Sequence, residues 1–312
     1  MEVGEGLFTF KREQEIVEIT PRVRLGGQPG ELPTVLIGTI FYSGHSIIKD
    51  PSTGEFDKGK AEGLIRRAVE LSEMTGNPQI LDVVGPTPET LIERIEFVAD
   101  ICDDPFLVDG PSASVRIPVV KHLSEVGLLS RAIYNSIDEH TGDWEVHSLR
   151  MYGVKSAVLL AFNMRKVWPE DRIDVLKGFD GRKGLLQLAD EAGVENKLID
   201  TAVLDLASIG LAAKAIHLCK EEFGLPCGCG PSNASYTWRR RKAFSKQAFA
   251  VCDSAADVTT QLQGADFILY GPIEEAERVF PSCALVDALI AYTNRRYGII
   301  PKTKDHPINK IW

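Results

Sequence analysis

The apolar positions of this chain fall into short runs of four to seven residues, separated by longer stretches with a helical repeat. The runs lie over residues 35–38, 79–84, 105–109, 132–135, 157–163, 197–200, 225–228 and 267–270. They are apolar almost throughout, as expected of parallel strands covered on both faces. Between them apolar residues return every three or four positions. Ala61, Leu64, Ile65, Ala68 and Leu71 form one buried stripe on a helix over 58–75. Leu91, Ile92, Ile95, Val98 and Cys102 form another, opened by Thr87 as N-cap and Pro88 at the first helical position. An alanine-rich helix over 206–223 ends at Gly224, a C-cap residue. A last helix begins near Ile273, where Pro281 is expected to kink or interrupt it. Eight strand–helix alternations predict an α/β fold, a closed (β/α)8 TIM barrel rather than two open sheets.

Residues 7–24 break this rhythm. Leu7-Phe8-Thr9-Phe10, a charged turn and Ile16-Val17-Glu18-Ile19 predict an N-terminal β-hairpin closing the N-terminal mouth of the barrel. The stretch Gly26-Gly27-Gln28-Pro29-Gly30 precedes a strand and lacks the lysine of a phosphate loop, so it reads as a turn. The tail over 298–312, with two prolines and four scattered basic residues, is expected to wrap the surface. With no internal repeat and no low-complexity segment, residues 1–312 read as one domain.

Composition narrows the function classes. Hydrophobic residues at 44 % and charged residues at 25 % allow a large core. A formal net charge of −9 argues against nucleic acid as a partner, since duplex binding needs a basic face. No stretch approaches the roughly 20 apolar residues of a bilayer span. The acidic start Met1-Glu2-Val3-Gly4-Glu5 lacks the plan of a signal peptide. A cytoplasmic protein without direct membrane insertion is expected. Six scattered cysteines (102, 219, 227, 229, 252 and 283) are expected to be reduced thiols.

Chemistry in such a barrel sits at the C-terminal ends of the strands. Reading off those ends gives Tyr42, Ser43 and His45, then Asp82, Asp109, Asn135, Asn163, Asp200, and Ser232 with Asn233. Three runs end on a carboxylate or amide: Asp109, Asn135 and Asp200. Any one of these could simply cap the following helix. Together on one rim they make a polar pocket able to grip a flat, nitrogen-rich ring. No pair resembles nucleophile plus general base, so the site reads as one that binds and orients. Asp82 lies mid-strand, where a core carboxylate is the competing reading. Cys227 and Cys229 could ligate zinc only with remote ligands, because the histidines show no metal-binding spacing, and no metal is expected. The run Arg239-Arg240-Arg241-Lys242 is either a solvated helix face or a rim patch for carboxylates.

Several segments carry a resemblance. Gly26-Gly27-Gln28-Pro29-Gly30-Glu31 with Pro33-Thr34-Val35-Leu36-Ile37-Gly38-Thr39, Thr75-Gly76-Asn77-Pro78, Pro105-Phe106-Leu107-Val108-Asp109, Tyr134-Asn135-Ser136-Ile137 and Leu269-Tyr270-Gly271-Pro272-Ile273-Glu274 resemble the MtrH family of tetrahydromethanopterin S-methyltransferase and its soluble bacterial relatives. The resemblance implies a pterin-binding barrel in which Asp109, Asn135 and Asp200 hold the pyrimidine edge of the pterin. By the same transfer Asn163 and Asp82 are further pterin contacts, and Asn233 joins Asn135 as a catalytic group at the reacting edge. It implies transfer of a methyl group from methylcobalamin on a partner corrinoid protein to N5 of tetrahydrofolate, as in glycine betaine-type demethylation systems. No DxHxxG run for holding a corrinoid occurs in the chain. Relatives imply a homodimer. Other implied roles are the pterin-handling component of a tetrahydromethanopterin S-methyltransferase complex, or a pterin-binding scaffold with little activity alone.

Overall fold

The computed structural model describes residues 8–50, 53–239 and 245–312, with the side chains of 236–239 set aside. Two short strands, β1 (Ile16–Thr20) and β2 (Val23–Gly26), precede eight parallel strands that close into a barrel. The barrel strands are β3 (Val35–Ile40), β4 (Gln79–Val84), β5 (Phe106–Asp109), β6 (Ala132–Ile137), β7 (Ser156–Leu160), β8 (Asn196–Asp200), β9 (Cys227–Cys229) and β10 (Phe267–Pro272). Each pairs with its neighbour in chain order, and β10 returns to β3. Around them lie α1 (Lys58–Thr75), α2 (Pro88–Ile101), α3 (Ala113–Val126), α4 (Asp143–Tyr152), α5 (Asp171–Lys177), α6 (Leu185–Ala192), α7 (Leu206–Phe223), α8 (Ser232–Arg239), α9 (Lys246–Leu262) and α10 (Ala276–Asn294).

Alternation along the strands sorts side chains into two compartments. Val35, Ile37, Ile80, Leu107, Ile133, Val158, Leu198 and Phe267 form a buried cluster inside the barrel. Their neighbours Leu36, Leu81, Val108, Tyr134, Leu159 and Ile199 face outward into the larger core shared with the helices. A side chain two residues beyond an interior one points inward again, one layer higher. That rule places Thr39, Asp82, Asp109, Asn135 and Asp200 above the apolar filling. At β9 the inward position is Gly228, where a Cβ would lie 2.1 Å from the Phe267 carbonyl oxygen and 2.6 Å from its ring.

The expected N-terminal hairpin is present but shifted. It pairs β1 with β2 across a two-residue turn, whereas Phe8 to Phe10 form no strand. The aromatic alternation at 8–10 serves a different purpose: Phe10 is buried against His217 and beneath Lys220. Val17, Ile19, Val23 and Leu25 join the interior cluster and close its lower end, as expected. The tail crosses the same end, where Lys302 N–H donates to the Glu31 carbonyl at 2.7 Å and His306 is fully buried.

Other boundaries differ for local reasons. Thr87 caps α2 as expected, with Thr90 completing a reciprocal capping box, but Cys102 is the C-cap rather than part of the buried stripe. Pro281 sits inside a continuous α10, which begins at Ala276 after a single 3-10 turn over Ile273–Glu275. β7 stops at Leu160, so Asn163 belongs to the following loop.

Candidate functional site

The C-terminal mouth of the barrel gathers the polar strand ends. Asp109 and Asn135 are register partners on β5 and β6, and Asp200 closes β8. All three are half-buried, while the interior residues beneath them are sealed. A floor of aliphatic side chains with carboxylates and an amide on its rim suits a flat ring carrying N–H donors. Among the described residues the Asn135 side chain has no hydrogen-bond partner, so its donor and acceptor are both available to a ligand.

Asp109 does not stand alone. Asp82, buried one layer lower, accepts the Thr39 hydroxyl at 2.8 Å and meets the Asp109 carboxyl. Burial, then the adjacent Asp109 charge, pushes the Asp82 carboxyl well above its usual value. Burial thus favours the neutral form of the Asp82 carboxyl beside Asp109. Burial raises Asp109 to about 6, opposed by the Arg116 guanidinium and by the hydrogen bond with Asp82. Of the pair, Asp82 is the carboxyl that keeps its proton to the higher pH. Asp82 gives its Oδ2 to Thr39 and faces Asp109, below the rim.

Asp200 is fixed differently. Its Oδ1 accepts the Ala202 N–H at 2.8 Å, and Ala202 adopts φ +58°, a left-handed conformation that costs a β-carbon residue about 1–3 kcal/mol. Burial raises the Asp200 carboxyl to about 6, countered by the Ala202 N–H and the Arg172 charge. A second non-glycine residue with positive φ, Phe41 at +66°, lies at the same end, after β3.

The remaining candidates divide. Asn163 is buried, accepts the Arg165 N–H at 2.8 Å and donates to Glu139, so it fastens the loops after β6 and β7 together. Asn233 occupies the first turn of α8 and is exposed, while Ser232, Ala234 and Ser235 around it are buried. His45 accepts the Phe41 N–H at Nδ1 (3.1 Å), which puts the ring proton on Nε2, 2.8 Å from Glu274 Oε1. Burial would raise the Glu274 carboxyl, but hydrogen bonds from His45 and Tyr42 hold it below the usual carboxylate range. This clasp joins the loops after β3 and β10.

Cys227 and Cys229 point outward into the helix-facing core, and Gly228 between them points in. Burial pushes both thiols well above the usual range. The thiol pair is therefore no part of the mouth. Among the described residues no group of three or more His, Cys, Asp or Glu side chains gathers that could hold a metal ion. All six cysteines are unpaired. No described helix is long and apolar enough to cross a membrane. The basic run from Arg239 to Lys242 lies outside the described side chains. A cleft of about 560 Å3 opens at the opposite, N-terminal end, lined by residues that include Arg22, Arg24, Gln79, Asp104 and Lys310. That end of a barrel concerns stability, so the site is placed at the mouth.

Sequence reasoning missed three buried arginines beneath the rim: Arg94, Arg116 and Arg172. Their signal was present. Each heads or interrupts an apolar stripe, as in Leu91, Arg94, Ile95, Val98 and in Arg116, Val119, Val120, Leu123.

Residues 12–302 match the family model described as tetrahydromethanopterin S-methyltransferase MtrH subunit. The MtrH-type tetrahydromethanopterin S-methyltransferase chain of Methanothermobacter thermautotrophicus is 40 % identical over 311 residues, covering 98 % of this chain and all of the relative. The corresponding chain of the putative methyltransferase mtx of Methanosarcina barkeri is also 40 % identical, with the same coverage. Among solved structures, dihydropteroate synthase of Yersinia pestis superposes with a TM-score of 0.63 at 15 % identity, over 88 % of this chain and 98 % of that one. The Xanthomonas albilineans enzyme gives 0.60 at 18 % identity, with 88 % and 98 % covered. These structures support the barrel fold.

Proposed function

From the premise that this chain belongs to the tetrahydromethanopterin S-methyltransferase MtrH family, we propose that it moves a methyl group between N5 of a tetrahydropterin and a corrinoid held on a separate protein. The observation that carries this reading is the trio Asp109, Asn135 and Asp200 on inward positions above a dry aliphatic floor. The carboxylates accept N–H groups of the pyrimidine edge, and the free Asn135 amide offers one donor and one acceptor. Asn163 and Asp82 support the trio from the adjoining loop and the layer below. Asn233, exposed on the first turn of α8, faces the reacting edge with Asn135 as the second catalytic amide. Holding N5 in line with the incoming methyl group is the chain's main contribution, since such alignment can remove several kcal/mol from a barrier. The corrinoid, when docked, supplies the cobalt that accepts or returns the methyl group.

The surface around the mouth suits a macromolecular visitor. Trp144 stands in the first turn of α4 and Met164, Trp168 and Leu204 on the loops after β7 and β8, and Met164 and Trp168 are 77 % and 63 % exposed. A cluster of large exposed apolar side chains beside a site marks an interaction surface, and tryptophan is favoured as its anchor. Replacing Trp168 with alanine is expected to raise KM for a protein-borne methylcorrinoid about tenfold, the effect of one anchor worth roughly 1.4 kcal/mol. KM for free methylcob(III)alamin should not change.

The relatives are named for tetrahydromethanopterin, so that pterin replaces tetrahydrofolate as the proposed substrate. Purified chain, methylcob(III)alamin and either pterin are combined anaerobically, and cob(I)alamin is followed by its absorbance. Turnover with tetrahydromethanopterin is expected. Turnover with tetrahydrofolate alone would restore the tetrahydrofolate reading. Tight pterin binding with no turnover would favour a scaffold role.

A further inference from the structure

Three helices carry a buried arginine in the same relation to the mouth. Arg94 on α2 donates to the Val84 carbonyl at the end of β4 (2.8 Å) and to the Phe41 carbonyl after β3 (3.5 Å). Arg116 on α3 donates to Gly110 (2.8 Å) and Ser136 (3.3 Å), beyond β5 and within β6. Arg172 on α5 donates to Lys166 (2.8 Å) and Thr201 (2.9 Å), beyond β7 and beyond β8. Each guanidinium also lies over an aromatic ring: Phe41, Tyr134 and Phe162 respectively. All three are at most 7 % exposed. Each bridges the loops of two adjacent strands from behind the rim.

The charges of these arginines are not equally spent. Arg116 shares its charge with Glu145 at 3.1 Å, and Glu145 also accepts the Tyr134 hydroxyl. Arg278, a half-buried arginine, is neutralised by Asp253, Asp257 and Glu275. Arg172 forms no ion pair among the described residues, and its hydrogen bonds all go to carbonyls. A buried cation without a counter-ion is costly unless a negative charge nearby offsets it. Arg172 holds the carbonyl of Thr201, next in the chain to rim Asp200, and Arg116 that of Gly110, next to rim Asp109; Asp171 on the same helix also acts on Arg172.

We propose that Arg116 and Arg172 are positioning residues of the mouth: each stitches two neighbouring rim loops through their carbonyls and sets a fixed positive charge behind the carboxylate before it, Asp109 or Asp200. Arg94 performs the stitching alone, since no rim acid faces it. Besides burial, the groups acting on Asp200 are the Ala202 N–H and Arg172. Those acting on Asp109 are Arg116 and Asp82, with Glu145 and Tyr134 behind Arg116. Opposing burial with a fixed cation costs no reorganisation when a ligand arrives, because the charge is already in place.

The test needs no ligand. The full chain is labelled with 13Cγ-aspartate, and the Asp200 resonance is identified as the one missing from Asp200→Asn. Its titration midpoint is then compared in wild type, Arg172→Gln and Arg172→Lys, each checked for native circular dichroism. Loss of the cation in Arg172→Gln should raise the midpoint by about one unit or more. Arg172→Lys keeps the charge and loses the two-carbonyl fork, so its midpoint should stay within about half a unit of wild type. A natively folded Arg172→Gln with an unmoved midpoint reduces Arg172 to loop packing and overturns the proposal. If Arg172→Gln does not fold, Arg172→Lys decides: a midpoint raised by a unit despite the retained charge overturns it.

Discussion

Asp109 and Asp200 each have a folded pKa near 6, against 3.8 for an unperturbed aspartate, and burial is the first cause in both. Each therefore holds its proton more tightly folded than unfolded. Their contribution to stability is complete below about pH 4 and is lost as the pH rises through 6. Ligand binding runs the other way, because only the ionised carboxylates accept the N–H groups of a pterin. Pterin affinity measured calorimetrically is expected to rise between pH 5 and 7 and level off above it, while denaturant stability of the free protein falls over the same interval. The two slopes share one origin, so an affinity that is flat with pH would contradict the assignment. Asp200→Asn should remove its part of the slope and weaken binding by tenfold or more, as loss of a charge-assisted hydrogen bond of about 1.5–3 kcal/mol implies.

At the scale of elements, the sequence pattern is most legible where one physical rule dominates. The helix over 58–75 is legible because its apolar stripe is unbroken; the structure adds Asp57 as its N-cap and Gly76, in a left-handed conformation, at its end. The order and character of the barrel strands are legible for the same reason: both faces of each are buried. Boundaries fail where context overrides pattern. Leu7 to Phe10 alternate like a strand, yet Phe10 is used to pack against the helical layer. Asn163 reads as a strand end, but β7 stops early because the loop turns on the Asn163–Arg165 and Asn163–Glu139 hydrogen bonds. Asp109, Asn135 and Asp200 are legible because a polar residue ending a buried run has few other uses. The arginines behind them are not, because a cation on a buried stripe looks like an interruption until the carbonyls it serves are in view. The shortest strand, β9, offers a direct check of the two-compartment packing. Gly228→Ala would press a methyl group onto Phe267, so thermal or denaturant unfolding should show a loss of about 1–3 kcal/mol. Unchanged stability would mean that the barrel interior is looser than described.

For the whole molecule, the two ends of the barrel divide the work. The hairpin and the tail seal the N-terminal end, and the aliphatic filling above them leaves no through-channel among the described residues. At the other end sit the half-buried acids, the free amide, the left-handed Phe41 and Ala202 and the exposed tryptophans. An acidic chain of net charge −9 presents there a site built on fixed hydrogen-bonding groups, with buried cations kept behind the rim. The central claim, that Asp109, Asn135 and Asp200 grip one heterocycle, is tested most directly by a crystal structure of the protein with tetrahydromethanopterin bound. The account predicts the pterin ring resting on the aliphatic floor with its pyrimidine edge within hydrogen-bond distance, about 2.7–3.2 Å, of all three side chains. A ring bound away from the mouth, or one touching none of the three, would contradict it.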